Sequence, residues 1–123
     1  MKKFPLIIGL VTLVIIIGGI FMLSRGGNKD ITPNPTSLEY YWLTTCPHCQ
    51  NVADFMSTWP KKDQVSINKM EVNSNRDYSA LLMQRGKTCG LDQQNLGSVP
   101  LMVTPEGKCY LGDTPIIDYL KTL

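Results

Sequence analysis

Two cysteines, Cys46 and Cys49, constrain this chain of 123 residues more than any other feature, because they stand where an apolar strand turns into a helix. The apolar run over residues 38–43 predicts a buried strand. Pro47 suits the first position of a helix, where a missing N–H costs no hydrogen bond. Cys46 should therefore lie at the helix N-terminus, with Cys49 one turn later on the same side of the helix.

The position of Cys46 predicts its chemistry. Free amides and the positive end of the helix dipole favour a thiolate there, and His48, the only histidine of the chain, can add to this stabilisation. We expect the pKa of Cys46 to lie well below the value of about 8.5 for a free cysteine, which makes Cys46 the nucleophile. Cys49 can then attack the mixed disulfide that Cys46 forms with a substrate. The predicted catalytic residues are Cys46, Pro47, His48 and Cys49.

The Cys-Pro-His-Cys motif of residues 46–49, together with the Ser-Val-Pro sequence of residues 98–100, resembles the thioredoxin/glutaredoxin superfamily. The Pro-His pair between the cysteines is similar to that of disulfide oxidases of the DsbA type. The resemblance covers residues 38–123 and excludes the N-terminus.

Several properties of the site are implied by this resemblance. The Val99–Pro100 peptide bond should be cis and face the cysteine pair, and the backbone beside it should pair with substrate like an added strand. Val99, Pro100 and Thr45 are the predicted substrate contacts. No cofactor is expected other than the redox-active Cys46–Cys49 disulfide.

Two positions depart from the usual patterns of the superfamily. Glutaredoxins usually have a basic residue just ahead of the first cysteine, where Thr44 and Thr45 stand here. Thioredoxins usually bury an acidic residue six positions before that cysteine, and here Tyr40 occupies this place. The neighbouring Glu39 should point to the opposite face of the strand, because successive side chains alternate.

The periodicity of apolar residues after residue 38 predicts the element order βαβαββα. This order resembles the short glutaredoxin-like form of the thioredoxin fold. We therefore expect one α/β domain with a mixed four-stranded sheet and helices on both faces, preceded by one transmembrane helix. The clearest signals are a strand over 69–73, a helix capped by Ser74 or Asn75 and ended by Gly86, a hairpin turn at 105–108, and a last helix capped by Asp113 or Thr114.

The N-terminus predicts a membrane anchor over residues 1–23. Between Phe4 and Leu23 the only polar side chain is Thr12, and these twenty residues, at a rise of ~1.5 Å each, would span the ~30 Å hydrocarbon layer. A cleaved signal peptide is the alternative, although its apolar core usually has only ~7–15 residues. Residues 24–37 have the Gly, Pro and polar content of a flexible linker. We expect a single-pass protein of the cytoplasmic membrane, with its C-terminal domain facing the extracytoplasmic side.

The charge of the chain excludes a nucleic-acid-binding role. The net charge is +2, and the basic excess lies in the first 37 residues, where four basic residues stand against one acidic residue. Residues 38–123 have eight basic and nine acidic residues. No basic surface is left for nucleic acid. Separately, we expect the protein to be a monomer.

Cys89 and Cys109 allow three interpretations. In an exported domain, four cysteines with two committed to the redox motif favour a structural disulfide between the other two. Alternatively, both are unpaired, with Cys109 a small buried hydrophobe, or they form a second redox pair. A structural zinc site is disfavoured, because these two cysteines lack the spacing of a ligand pair, and no metal is expected.

The sequence thus predicts a thiol–disulfide oxidoreductase that acts on thiols or disulfides of exported proteins, favouring disulfide formation or isomerisation over reduction. A quinone-linked membrane oxidase of the DsbB or vitamin-K-epoxide-reductase type is the expected partner. Two alternatives stay open. One is a membrane-tethered reductase that receives electrons from a membrane carrier, and the other is a non-catalytic thioredoxin-fold module for binding or metal delivery.

Overall fold

The computed structural model describes residues 3–23 and 32–123. The chain divides into two compact units, residues 1–31 and residues 32–123. In the first unit, helix α1 spans Phe4–Leu23. The predicted linker over residues 24–37 lies partly outside the described residues, since residues 24–31 are not described, and it remains a prediction. Residues 32–37 belong to the second unit, in which Pro35 is buried.

The predicted membrane anchor is contradicted. Among the residues described, none of the helices combines the length and the apolar character that crossing a membrane requires. The transmembrane helix at residues 1–23 and the single-pass membrane localisation are therefore wrong on this finding.

The second unit has the predicted order of strands and helices. Its sheet has four strands in the spatial order β2-β1-β3-β4. The central strand β1 is parallel to β2 and antiparallel to β3, which in turn pairs antiparallel with β4. This mixed sheet agrees with the predicted short thioredoxin-like architecture. The elements are β1 Leu38–Trp42, α2 Pro47–Thr58, β2 Ile67–Glu71, α3 Arg76–Thr88, β3 Leu101–Val103, β4 Cys109–Leu111 and α4 Asp113–Thr122.

Helices cover both faces of this sheet. Successive side chains of the central strand point to opposite faces, so neighbouring residues pack against different helices. Tyr40 lies in one apolar cluster with residues of α2 and α4. Tyr41 lies in the other, with Leu82 of α3. At ~25 cal/mol per Å² of apolar area removed from water, these two clusters provide the main stabilisation of the domain. They also fix α2, and with it the cysteine pair, against the end of β1.

The hairpin between β3 and β4 forms where the sequence predicts it. The Gly107 amide donates to the Thr104 carbonyl at 2.9 Å, closing a turn with Pro105 at its second position. Gly107 then adopts a φ of +83°, a conformation that residues with a Cβ rarely take. This turn brings β4 back beside β3.

The end of α3 differs from the prediction. The helix continues through Gly86, and Cys89 caps it. Gly86 is needed for packing, because a Cβ there would meet the Leu96 side chain at 3.0 Å. The glycine with positive φ that follows the helix is Gly90, at +73°. The prediction that Gly86 ends the helix is therefore wrong, and Gly90 is the glycine that follows the helix end with the left-handed conformation common there.

Cys89 and Cys109 are joined by a disulfide, with 5.8 Å between their Cα atoms. The bond connects the end of α3 to β4 and closes a loop with a sequence separation of 20. That loop contains Val99 and Pro100. In the structure the two cysteines are paired, as both the structural and the redox interpretation require, and the place of the bond in the chain suits one that holds the loop against the sheet.

We expect the double variant Cys89→Ser/Cys109→Ser to lose about 3 kcal/mol of unfolding free energy, because a bond across a loop of this length restricts the unfolded chain by roughly that amount. Urea unfolding of the full chain, followed by tryptophan fluorescence, measures the loss. The matched variant Cys46→Ser/Cys49→Ser opens a much shorter loop and should lose less. Equal losses in the two variants would contradict a stapling role for Cys89–Cys109.

Candidate active site

Cys46 occupies the N-cap of α2, with extended backbone (φ −91°, ψ 115°), and Pro47 follows as the first helical residue. Its sulfur is joined to that of Cys49 in a disulfide, with 5.2 Å between the two Cα atoms. The backbone amide of Cys49 donates to the Cys46 sulfur at 3.1 Å. An amide in this position also stabilises negative charge on sulfur, so the site is arranged for a thiolate at Cys46 once the bond is reduced.

The two sulfurs differ in their access to solvent. Cys49 is only 2% exposed, whereas Cys46 is half-buried. A thiolate from outside can therefore reach Cys46 but not Cys49. This asymmetry gives the two cysteines the roles that thiol–disulfide exchange requires, one attacked from outside and one resolving from inside.

The loop before β3 lies directly against the cysteine pair. The Val99–Pro100 peptide bond is cis, and the Val99 carbonyl oxygen lies 3.9 Å from the Cys46 sulfur. The Pro100 carbonyl accepts a hydrogen bond of 2.9 Å from the Gly112 amide, which ties the loop to the start of α4. Val99 is half-buried and Pro100 is buried, while Thr45, which precedes Cys46 in the chain, is exposed. Of the predicted substrate-contact residues, Val99 is therefore the one whose carbonyl lies beside the Cys46 sulfur.

His48 is held in place by residues outside the Cys-Pro-His-Cys motif. Its Nδ1 atom lies 3.1 Å from Asp113 Oδ2, and Asn51 Nδ2 donates to the same oxygen at 2.6 Å. The hydrogen bonds from Asn51 and His48 lower the pKa of Asp113 to about 2, so this side chain is an anion in neutral solution. The ring itself is largely exposed, with 69% of its side-chain surface accessible. Helices α2 and α4 therefore meet at a His–Asp–Asn cluster beside the cysteine pair.

Among the residues that the structure describes, the core behind the cysteines has no group that could act as a base in neutral solution. Tyr40 donates a hydrogen bond of 3.4 Å to the Cys49 carbonyl, and burial raises the pKa of its phenol. Glu39 points to the opposite face of β1, as alternation predicts, and pairs with Arg85. This arrangement favours exchange of the Cys49 proton with water.

Asn51 and Asp113 are the parts of the site that the sequence did not assign. The sequence predicts Asp113 or Thr114 as the cap of the last helix, whereas the N-cap of α4 is Gly112, whose φ is +95°. Asn51 follows His48 by three residues, and this spacing places both on one side of α2. Within residues 3–23 and 32–123, no three His, Cys, Asp or Glu side chains come together as a metal site.

No protein-family model matches the sequence. No curated protein matches it either. Among solved structures, the chain is similar to the crystal structure of a glutaredoxin from Archaeoglobus fulgidus, with a TM-score of 0.47 and 21% sequence identity. That similarity covers 67% of this chain and 83% of the glutaredoxin chain.

Proposed function

We propose that this protein is a thiol–disulfide oxidoreductase whose working group is the Cys46–Cys49 disulfide. The observation that carries the proposal is the difference between the two sulfurs. Cys46 is accessible at a helix N-terminus and faces the Val99 carbonyl, whereas Cys49 is buried one turn behind it. Exchange chemistry needs this combination of an accessible sulfur and a protected one.

In the oxidising direction, a substrate thiolate attacks the Cys46 sulfur. A bond forms between the substrate and Cys46, and the Cys46–Cys49 bond breaks to release the Cys49 thiolate, which takes a proton from water. A second substrate thiolate then attacks the substrate sulfur of the mixed disulfide and releases Cys46 as a thiolate. The substrate dithiol loses two electrons, and the cysteine pair gains them.

The loop beside Cys46 supports recognition of an extended peptide. Within the part of the chain that the structure describes, the Val99 N–H has no hydrogen-bond acceptor, and its carbonyl points toward the reacting sulfur. A substrate backbone can use both groups as a neighbouring strand does, and this binding is independent of its sequence. Protein thiols and disulfides are therefore the proposed substrates, and the Cys89–Cys109 disulfide favours those of exported proteins.

The oxidising direction is supported by two features. The Cys49 amide and the helix N-terminus stabilise the reduced thiolate form, which makes the disulfide a stronger oxidant. The second disulfide, Cys89–Cys109, is typical of proteins that fold in an oxidising compartment. Reoxidation of the cysteine pair needs an electron acceptor, and a quinone-linked membrane oxidase is the proposed partner. The same couple, supplied with electrons by a membrane carrier, would instead work as a reductase.

The first test is the equilibrium reduction potential of the full chain in glutathione redox buffers. We expect a reversible two-electron couple at Cys46–Cys49 with a potential above the ~−270 mV of thioredoxin and toward the ~−120 mV of DsbA. Alkylation of free thiols followed by mass spectrometry measures the fraction reduced at each cysteine.

The outcomes separate the candidate functions. A potential at or below that of thioredoxin would favour the reductase. The absence of a reversible couple would favour a binding module that keeps the fold without catalysis. The variant Cys89→Ser/Cys109→Ser serves as control, because it shows that the measured couple belongs to the first pair.

A further inference from the structure

The carboxylate of Asp113 makes three hydrogen bonds at the start of α4. Its Oδ1 atom accepts from the Thr114 amide at 2.9 Å. Its Oδ2 atom accepts from Asn51 at 2.6 Å and lies 3.1 Å from Nδ1 of His48. One side chain therefore connects the start of α4 with the first turns of α2, where Cys46 is the N-cap.

This contact determines which nitrogen of His48 carries a proton. An ionised carboxylate has no hydrogen to donate, so the short contact requires the hydrogen on Nδ1. The other nitrogen, Nε2, is then the one that faces away from Asp113. Among the residues that the structure describes, Asp113 is the only charged side chain within ion-pair distance of His48. Since the ring is largely exposed, Asp113 is what restrains it.

We propose that Asp113 is a positioning residue, which acts on the Cys46–Cys49 couple through His48. By holding Nδ1–H, it fixes the tautomer and the orientation of the ring at the N-terminus of α2, as carboxylates do for histidines in other active sites. In its imidazolium form the held ring adds a positive charge at this helix N-terminus, and that charge stabilises the Cys46 thiolate. This inference rests on the proposed oxidoreductase function and names a further residue that sets its redox balance.

The proposal predicts the sign of the effect, because Asp113 could act in two opposite ways. As a bare negative charge beside the helix N-terminus, it would destabilise the Cys46 thiolate, and its removal would lower the pKa of Cys46. As the residue that holds His48, it supports the thiolate indirectly, and its removal would raise that pKa. The direction of the change therefore identifies the route.

The experiment compares the full chain with Asp113→Asn, His48→Ala and the double variant. Two quantities are measured in each variant, the pKa of Cys46 from the ultraviolet absorbance of its thiolate and the equilibrium constant with glutathione. We expect Asp113→Asn to raise the Cys46 pKa and to make the disulfide roughly threefold to tenfold less oxidising. In the His48→Ala background, the same substitution should leave the pKa unchanged or lower it. Asp118→Asn, which removes an exposed charge from the same helix, is the matched control and should change neither quantity.

A second readout does not depend on redox activity. His48 is the only histidine of the chain, so the nitrogen NMR spectrum of its ring can be read without assignment. At about pH 9, far above the ordinary titration range of histidine, the wild-type ring should be in the Nδ1–H form, and Asp113→Asn should shift it toward Nε2–H. This readout separates a lost His48 contact from a general disturbance of α4.

The two readouts together distinguish the possible failures. A lowered Cys46 pKa in Asp113→Asn, or an equal effect with and without His48, would overturn the proposal while leaving the oxidoreductase function intact. A wild-type ring in the Nε2–H form would overturn it as well. A wild-type chain without a reversible Cys46–Cys49 couple would reject the proposed function, and the redox part of this inference with it.

Discussion

The variant Cys46→Ser is expected to lose thiol–disulfide exchange completely, whereas Cys49→Ser should still react once and then accumulate as a mixed disulfide. The reason is the difference in exposure, since Cys46 is accessible and Cys49 is 2% exposed. A serine hydroxyl at position 46 cannot form a disulfide. With serine at position 49, the first attack proceeds, but no inner thiolate is left to resolve the intermediate.

Incubation of each reduced variant with a disulfide-containing peptide, followed by mass spectrometry without reductant, measures this difference. Only Cys49→Ser should show an added mass equal to one half of the substrate, attached at residue 46. The variant Cys89→Ser/Cys109→Ser is the control for the other disulfide and should exchange like the wild type. Turnover by both single variants would reject the assigned roles of nucleophile and resolving cysteine.

Local signals were sufficient to predict the position of the cysteine pair. The run of apolar residues before Thr44, the proline after Cys46 and the spacing to Cys49 are all properties of neighbouring residues. The same holds for the hairpin at Pro105 and for the Asn75 cap, whose side chain accepts from the Asp77 amide at 2.9 Å. Where one segment determines its own backbone, the sequence can be read directly.

The contacts that the sequence did not reveal all join distant segments. His48 and Asp113 are 65 residues apart in the chain, and neither residue type carries a signal for the other. The role of Gly86 was missed for the same reason, because its packing partner is Leu96 in a loop without periodicity. The prediction for the apolar N-terminal stretch is wrong for a different reason. Its composition predicts a membrane span, and none is found among the described residues.

A buried ion pair on the other side of the sheet leads to the largest expected change in stability. Glu39 is 7% exposed and Arg85 5% exposed. The Arg85 guanidinium donates to both carboxylate oxygens, at 2.7 Å and 3.0 Å, and to the Pro33 carbonyl at 2.6 Å. Tyr41 also donates to Glu39, at 2.7 Å. Burial alone lowers the pKa of Arg85, but the hydrogen bond to Glu39 and its charge raise that pKa above the usual value, so the guanidinium stays charged.

We expect Arg85→Met to lower the unfolding free energy by about 3–5 kcal/mol, because it leaves the Glu39 carboxylate buried without a counter-charge. Urea unfolding at neutral pH measures this loss. The double variant Glu39→Gln/Arg85→Met should be less destabilised than Arg85→Met alone, since no uncompensated charge then remains. Arg76→Met, at an exposed position of the same helix, is the matched control and should change stability by no more than about 0.5 kcal/mol. A loss below about 1 kcal/mol in Arg85→Met would contradict this expectation, because it would mean that water or another side chain compensates the Glu39 charge. It would also mean that the hydrogen bond from Arg85 of α3 to the Pro33 carbonyl contributes little to holding residues 32–37 on the domain.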